Sequence, residues 1–273
     1  MPEPLYTSAN TQFAYQLRWS LALFNRVPLP HEASWFPTLS EQVEHDQVRL
    51  LSVHHRADDV VMFLVSTQPS VAPPRIVRAV KGRLQRLIDA THPDCFRRNF
   101  SLTSVGDPSR AQVLSYIRRQ VEHHCDDDPL LALRLARFQL YFPSRDQLRP
   151  QFSSHGRYVY HLHLVLEFSP GERLWKEADW RAVRSLLYRA SERHRDRIAR
   201  GGILTDHLHL ALSPHYARSP QEVALSYLNN VAYRFGMRPV LRPSAYLGSI
   251  GPYEMRAVRR AALGEAASDE GGN

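Results

Sequence analysis

Two short segments carry histidines at a spacing that could help to hold a metal ion. One is TDHLHLALSP, residues 205–214, with His207 and His209; the other is HLHLVLEF, residues 161–168, with His161 and His163. In a β-strand, side chains two positions apart leave the same face. His207 and His209 therefore stand together, while Leu208, Leu210 and Leu212 line the opposite face. Two neutral imidazoles side by side make half of a site for a divalent cation. The spacing alone decides little, because 14 histidines in 273 residues give about one His-x-His pair by chance. A metal site needs a third donor, and chemistry needs a reacting group beside it. Both depend on the elements around the strand.

Composition narrows the partners. The chain has a formal net charge of +8 and a pI near 9.8, mainly from arginine. A basic, arginine-rich chain points to a polyanion, of which nucleic acid is the commonest. Cys95 and Cys125 are too few and too far apart in sequence for a cysteine-rich zinc module or a disulfide scaffold. No apolar run reaches the roughly 18 residues of a membrane span, and no basic-then-apolar signal pattern opens the chain. These features predict a cytoplasmic protein without a membrane partner. The end GEAASDEGGN, residues 264–273, reads as a disordered tail.

The chain also reads as written twice. FAYQLRWSLALF (13–24) parallels RYVYHLHLVLEF (157–168), and each alternates as a long strand does. DDVVMFLVSTQPSVAPPRIV, from Asp58, parallels TDHLHLALSPHYARSPQEVA, from Thr205: a strand, a loop, a proline and a helix. SLTSVGDPSRAQVLSYIRRQ, from Ser101, parallels AYLGSIGPYEMRAVRRAALG, from Ala245: a strand, a glycine turn and a helix. Tyr15 and Tyr160 are 145 positions apart, Val60 and His207 147, and Gly106 and Gly251 145. The expected organisation is one α/β unit over 10–126, a linker over 127–154, a second unit over 155–263 and the tail. In the linker, PLLALRLARFQL reads as helix and RPQFSSHG as loop. Ser219-Pro220-Gln221-Glu222 predicts a capping box and a helix running to Gly236. Asp107-Pro108 predicts a helix start, with the helix continuing to about His124. Each unit is expected to be an α/β (α+β sandwich) fold, with helices packed on one face of a sheet.

The segment TDHLHLALSP resembles the histidine–hydrophobe–histidine strand of the HUH endonucleases. It is most similar to the single-tyrosine transposases of the insertion-sequence 200/605 type and their REP-associated relatives. The aspartate before the first histidine and the helix after a proline-bearing loop both fit. The resemblance implies tandem ferredoxin-like units with antiparallel sheets, forming a pseudo-dimer within one chain. It also places His161 and His163 on a neighbouring strand, where ordinary strand histidines are the expected reading. In the first unit, Val60 and Met62 occupy the two histidine positions.

The same resemblance assigns the rest of the site. FRRNFSLTSVGDPSRAQVLSYIRRQVEHH is similar to the family's nucleophile region. Tyr116, ten positions after Gly106, falls on the family's nucleophile, and Gln120 on its third metal ligand. On a helical wheel Val113, Leu114, Ile117 and Val121 form an apolar face, with Tyr116, Gln120 and His123 clustered beside it. In the second unit the matching positions are Ala261 and Glu265, and Tyr253 sits in the turn. One half thus keeps tyrosine and glutamine, and the other keeps histidines. Subunits of this family exchange these helices, so the resemblance implies one composite site: Tyr116 as nucleophile, with Gln120, His207 and His209 on Mg2+ or Mn2+.

The implied substrate is single-stranded DNA, hairpin-bearing, cut through a 5′-phosphotyrosine link and rejoined. Lys81, Arg83, Arg86, Arg97, Arg98, Arg118 and Arg119 are the candidate phosphate contacts. Phe96 and Phe100 could stack on bases but are expected to pack in the core. Two other readings compete. A domesticated transposase could bind a DNA hairpin without cutting. An RNA phosphoesterase could use the two histidine strands, but it would need Ser or Thr where each second histidine stands.

Overall fold

The computed structural model describes residues 3–125, 127–142 and 149–252. Tyr253, Ala261, Glu265 and the tail lie outside the described residues.

The alternating stretch at 13–24 forms two strands, not one. β1 (Gln12–Gln16) and β2 (Arg18–Asn25) are separated by the buried Leu17 and lie in different sheets. The parallel stretch breaks in the same way at the buried Tyr160, between β8 (Gly156–Val159) and β9 (His161–Phe168). The cause is a strand crossing. β1 pairs in parallel with β12 (Leu241–Ile250), and β8 pairs in parallel with β5 (Phe96–Val105). Each half therefore donates a strand to the other's sheet.

The first sheet is built from β2, α1 (Phe36–Glu44), β3 (Val48–Ala57), β4 (Val60–Thr67), α2 (Pro73–Ile88) and β5. The second is built from β9, α5 (Glu177–His194), β10 (Arg197–Ile203), β11 (His207–Ser213), α6 (Pro220–Arg234) and β12. Each sheet has six strands, in the orders β3-β4-β2-β5-β8-β7 and β1-β12-β9-β11-β10-β6. The four strands that each half contributes to its own sheet follow one order in both: second, third, first, last, all antiparallel. The connector is not a plain tether. It supplies α4 (Pro129–Ala136) and two edge strands, β6 (Leu140–Tyr141) and β7 (Gln151–Phe152). The segment RPQFSSHG, read as loop, thus holds β7 and the start of β8. The strand ends there because Ser153 and Gly156 close a tight turn through the Ser153 hydroxyl.

Apolar burial follows the strand period. Leu208, Leu210 and Leu212 are fully buried in the main core with Leu162, Leu164 and Leu166 of β9. α6 starts at the expected capping box, with Ser219 and Glu222 each bonding the other's backbone. It stops before Gly236, which takes φ +70°, a conformation that favours glycine. The helix after Gly106 is α3 (Arg110–His124), and its cap is Ser109 rather than Asp107. Ser109 and Gln112 form the capping box, because Asp107 is drawn into an ion pair with Arg18.

The two halves meet where β5 and β12 end. Ser104 Oγ donates to the carbonyl of Ile250, and Ser249 Oγ donates to that of Val105, both at 2.6 Å. The glycines that follow are needed for this approach. A Cβ on Gly106 would lie 2.3 Å from the Ser249 carbonyl oxygen, and one on Gly251 2.3 Å from that of Ser104. Ser104 also accepts from the His161 amide. Ser104→Ala is therefore expected to cost about 1–3 kcal/mol, since it orphans buried backbone groups. Urea denaturation checks this, and an unchanged midpoint would contradict it.

Candidate active site

β11 has two faces with different fates. Its leucines enter the main core, while His207, His209 and Ala211 face the other way. That second face is covered by α3, which arrives from the first half. Val113 and Ile117 of α3 pack with Ala211 of β11 and Ile250 of β12. The second sheet thus has helices on both faces, a departure from the expected one-sided packing. The cause is the apolar stripe of α3, which buries itself on the second sheet.

This docking sets Tyr116 and Gln120 beside the histidines. The Tyr116 ring stands edge-on to His209, with centroids 5.6 Å apart, and is 44 % exposed. Gln120 is fully buried, and neither end of its amide meets a protein partner. It lies over Gly202, the residue paired with His209 across β10 and β11. A Cβ at position 202 would come within 2.4 Å of Gln120 Oε1, so glycine makes the space for the amide.

The imidazoles form a chain of ring contacts: His124 to His207 at 4.9 Å, His207 to His209 at 4.8 Å and His209 to His163 at 5.2 Å. Two of them have an engaged Nδ1. That of His207 lies 2.7 Å from Asp206 Oδ1, and that of His209 lies 2.9 Å from His163 Nε2. Each ring therefore has Nε2 as the nitrogen to present. Burial pushes His163 down to about 4. Burial, reinforced by His163, His207 and His124, pushes His209 down to about 2. Both are neutral near pH 7, the form in which imidazole is a ligand.

These shifts fix a pH dependence. In the unfolded chain both histidines take up protons near pH 6.5; in the folded, metal-free chain they resist protonation down to about 4 and about 2. The unfolded state then binds more protons, so stability rises with pH in that window. It is expected to be full above about pH 6.5 and to fall as the pH drops towards 4. Urea midpoints with a chelator present check this, and a flat profile between pH 7 and 5 would contradict it.

The donor set suits a metal only through an amide. Among the described residues no three histidine, cysteine or carboxylate side chains converge as a cage. A third donor beside His207 and His209 could come from Gln120, whose amide has no partner among the described residues.

The other predicted site residues divide. Arg118 and Arg119 are exposed on α3, and Arg119 lies one turn from Tyr116. Lys81 and Arg83 both have partners within the chain. Lys81 donates to the carbonyls of Arg97 and Arg98, and Arg83 pairs with Asp46 at 2.6 Å. Arg86 is exposed at the end of α2; Arg97 pairs with Asp59 at 3.3 Å, and Arg98 is exposed. Arg97 and Arg98 begin the ten-residue β5, whose other end leads to α3, so the strand holds them roughly 30 Å from that end. Phe96 is buried, and Phe100 stands edge-on to Tyr158, so both pack. The histidine of α3 that reaches the site is His124, not His123. His163 and Gly202 were not foreseen as parts of the site. Among the described residues no helix is long and apolar enough to cross a membrane.

Residues 32–120 match the family model described as "Transposase IS200 like". Over these residues, about a third of the chain, the sequence is similar to IS200-like transposases. The match runs from before α1 to Gln120, so it includes Tyr116 and stops short of the histidine strand. No curated protein matches the chain. Two solved structures show a low similarity. A candidate glycine cleavage system transcriptional repressor is 7% identical over 86% of this chain and 96% of its own, with a TM-score of 0.24. An unknown protein from Galdieria sulphuraria is 10% identical over 86% and 97%, with a TM-score of 0.20.

Proposed function

We propose that this chain is a metal-dependent single-stranded DNA endonuclease and transposase with one composite active site. The observation that carries the proposal is the docking of α3: Tyr116, from the first half, stands edge-on to His209, from the second, and Gln120 lies over Gly202, the residue paired with His209. A tandem duplication forming a pseudo-dimer accounts for this. It is supported by the shared strand order, by the exchanged strands β1 and β8 and by Ser104 and Ser249, 145 positions apart and reciprocally bonded. Val60 and Met62 begin β4 as His207 and His209 begin β11, so the first sheet has no matching donors there.

A Mg2+ or Mn2+ ion held by His207, His209 and Gln120 would polarise the scissile phosphate and offset its developing charge. Asp206 and His163 hold the two imidazoles, and α3 holds the Tyr116 ring in place. The exposed Tyr116 oxygen attacks phosphorus in line. A tyrosyl O–P bond forms as the phenol O–H gives its proton to water, the P–O3′ bond breaks, and the leaving oxygen takes a proton from water to become a 3′-OH. Arg119, one turn away, would bring positive charge beside the reacting phosphate. Attack by a 3′-OH on the tyrosyl phosphate reverses the step and rejoins strands with no external energy source.

The test is incubation with labelled, hairpin-bearing single-stranded DNA and Mn2+, resolved on a denaturing gel. A protein-linked band that needs the metal is expected. Tight hairpin binding with no linked band in any metal would replace this reading with that of a non-cleaving hairpin binder.

A further inference from the structure

His163 lies outside the family match and has no assigned task. It sits on β9 opposite Ala211, diagonal to His209 on β11. The small Ala211 side chain leaves the space through which His163 leans to His209. The two rings are nearly parallel, at 23°, and His163 Nε2 lies 2.9 Å from His209 Nδ1. On its other side His163 meets the edge of Tyr246, at 5.9 Å and 74°. Tyr246 in turn lies across Gly248, the residue paired with His163, where a Cβ would come 2.9 Å from the phenol oxygen. His163 is thus wedged between Tyr246 and His209.

A neutral imidazole has one N–H and one lone pair. For His209 to offer its Nε2 lone pair, its Nδ1 must carry the proton and need an acceptor. We propose that His163 is a positioning residue that accepts the His209 Nδ1–H bond, fixing the tautomer and rotation that aim His209 Nε2 into the site. This rests on the reading of His209 as a metal ligand. His163 thereby does for His209 what Asp206 does for His207. An imidazole at this enclosed position accepts the bond without burying a second negative charge.

The test uses the full chain. First, 15N-labelled metal-free protein reports the His209 tautomer by NMR. The Nδ1–H form is expected, and the Nε2–H form would overturn the proposal. Second, Mn2+ is titrated by electron paramagnetic resonance into wild type, His163→Leu, His163→Gln and His209→Ala. His163→Leu, which cannot accept the bond, is expected to weaken Mn2+ binding by about 10–100-fold. His163→Gln keeps an acceptor and is expected to recover most of that loss. If His163→Leu folds with an unchanged melting temperature and binds Mn2+ like wild type, while His209→Ala does not bind, the positioning role is wrong and the metal site stands. If His209→Ala also binds like wild type, the metal site itself is wrong and the inference goes with it. Should His163→Leu fail to fold, the wild-type tautomer and His163→Gln decide.

Discussion

Tyr116→Phe is expected to abolish the covalent protein–DNA adduct, lowering its rate by at least about a thousandfold, while the chain still folds and binds DNA. The substitution removes one oxygen from a ring that is 44 % exposed, and it keeps the edge-on contact with His209. Burial loss is therefore negligible, and α3 keeps its anchorage through Val113 and Ile117. The other tyrosine placed on this face is Tyr246. It is a poor nucleophile, because burial and then the nearby Asp107 raise its phenol above the usual value. Mass mapping of the linked peptide checks the assignment. An undiminished adduct in Tyr116→Phe would remove Tyr116 from the chemistry.

Gln120→Leu is expected to act in opposite directions on stability and on function. The Gln120 amide is fully buried with both polar ends unpartnered, which costs about 1–3 kcal/mol. Leucine fills nearly the same volume with no polar atom to satisfy. The metal-free variant should therefore be more stable than wild type by about that amount, measured as a urea midpoint in chelator. Its Mn2+ affinity and adduct yield should fall by about a hundredfold or more, since a donor is gone. A native residue whose removal stabilises the fold is kept for function. If Gln120→Leu instead destabilises the chain and leaves Mn2+ affinity alone, the amide is a packing residue with an unseen partner.

Features fixed by neighbouring residues were legible in the sequence. The Ser219 capping box, the stop before Gly236 and the two faces of β11 all depend on spacings of a few positions. The apolar stripe of α3 was also readable, but its target was not. That helix buries Val113 and Ile117 on residues nearly a hundred or more positions later, and the sequence suggested this only through the family resemblance. The strand breaks at Leu17 and Tyr160 were hidden because each residue is buried and keeps the alternation in phase across the crossing. The internal partners of Lys81 and Arg83 were not readable from charge: Asp46 is 37 positions from Arg83. His163 was underrated because its contact depends on the β9–β11 register, and a one-residue slip would have turned it away. His124 displaced His123 because a wheel does not place a last-turn side chain within one position.

The central claim is that the two halves of one chain build one site. Its most direct test is a mixing experiment on the denaturing gel, with hairpin-bearing single-stranded DNA and Mn2+. Wild type, Tyr116→Phe, His209→Ala, an equimolar mixture of the two variants, and a chain carrying both substitutions would be run together. The account expects a linked band from wild type and none from any other lane, because in each variant chain the tyrosine and the histidines belong to the same damaged site. A band restored by mixing would contradict it, showing that Tyr116 serves the histidines of a different chain.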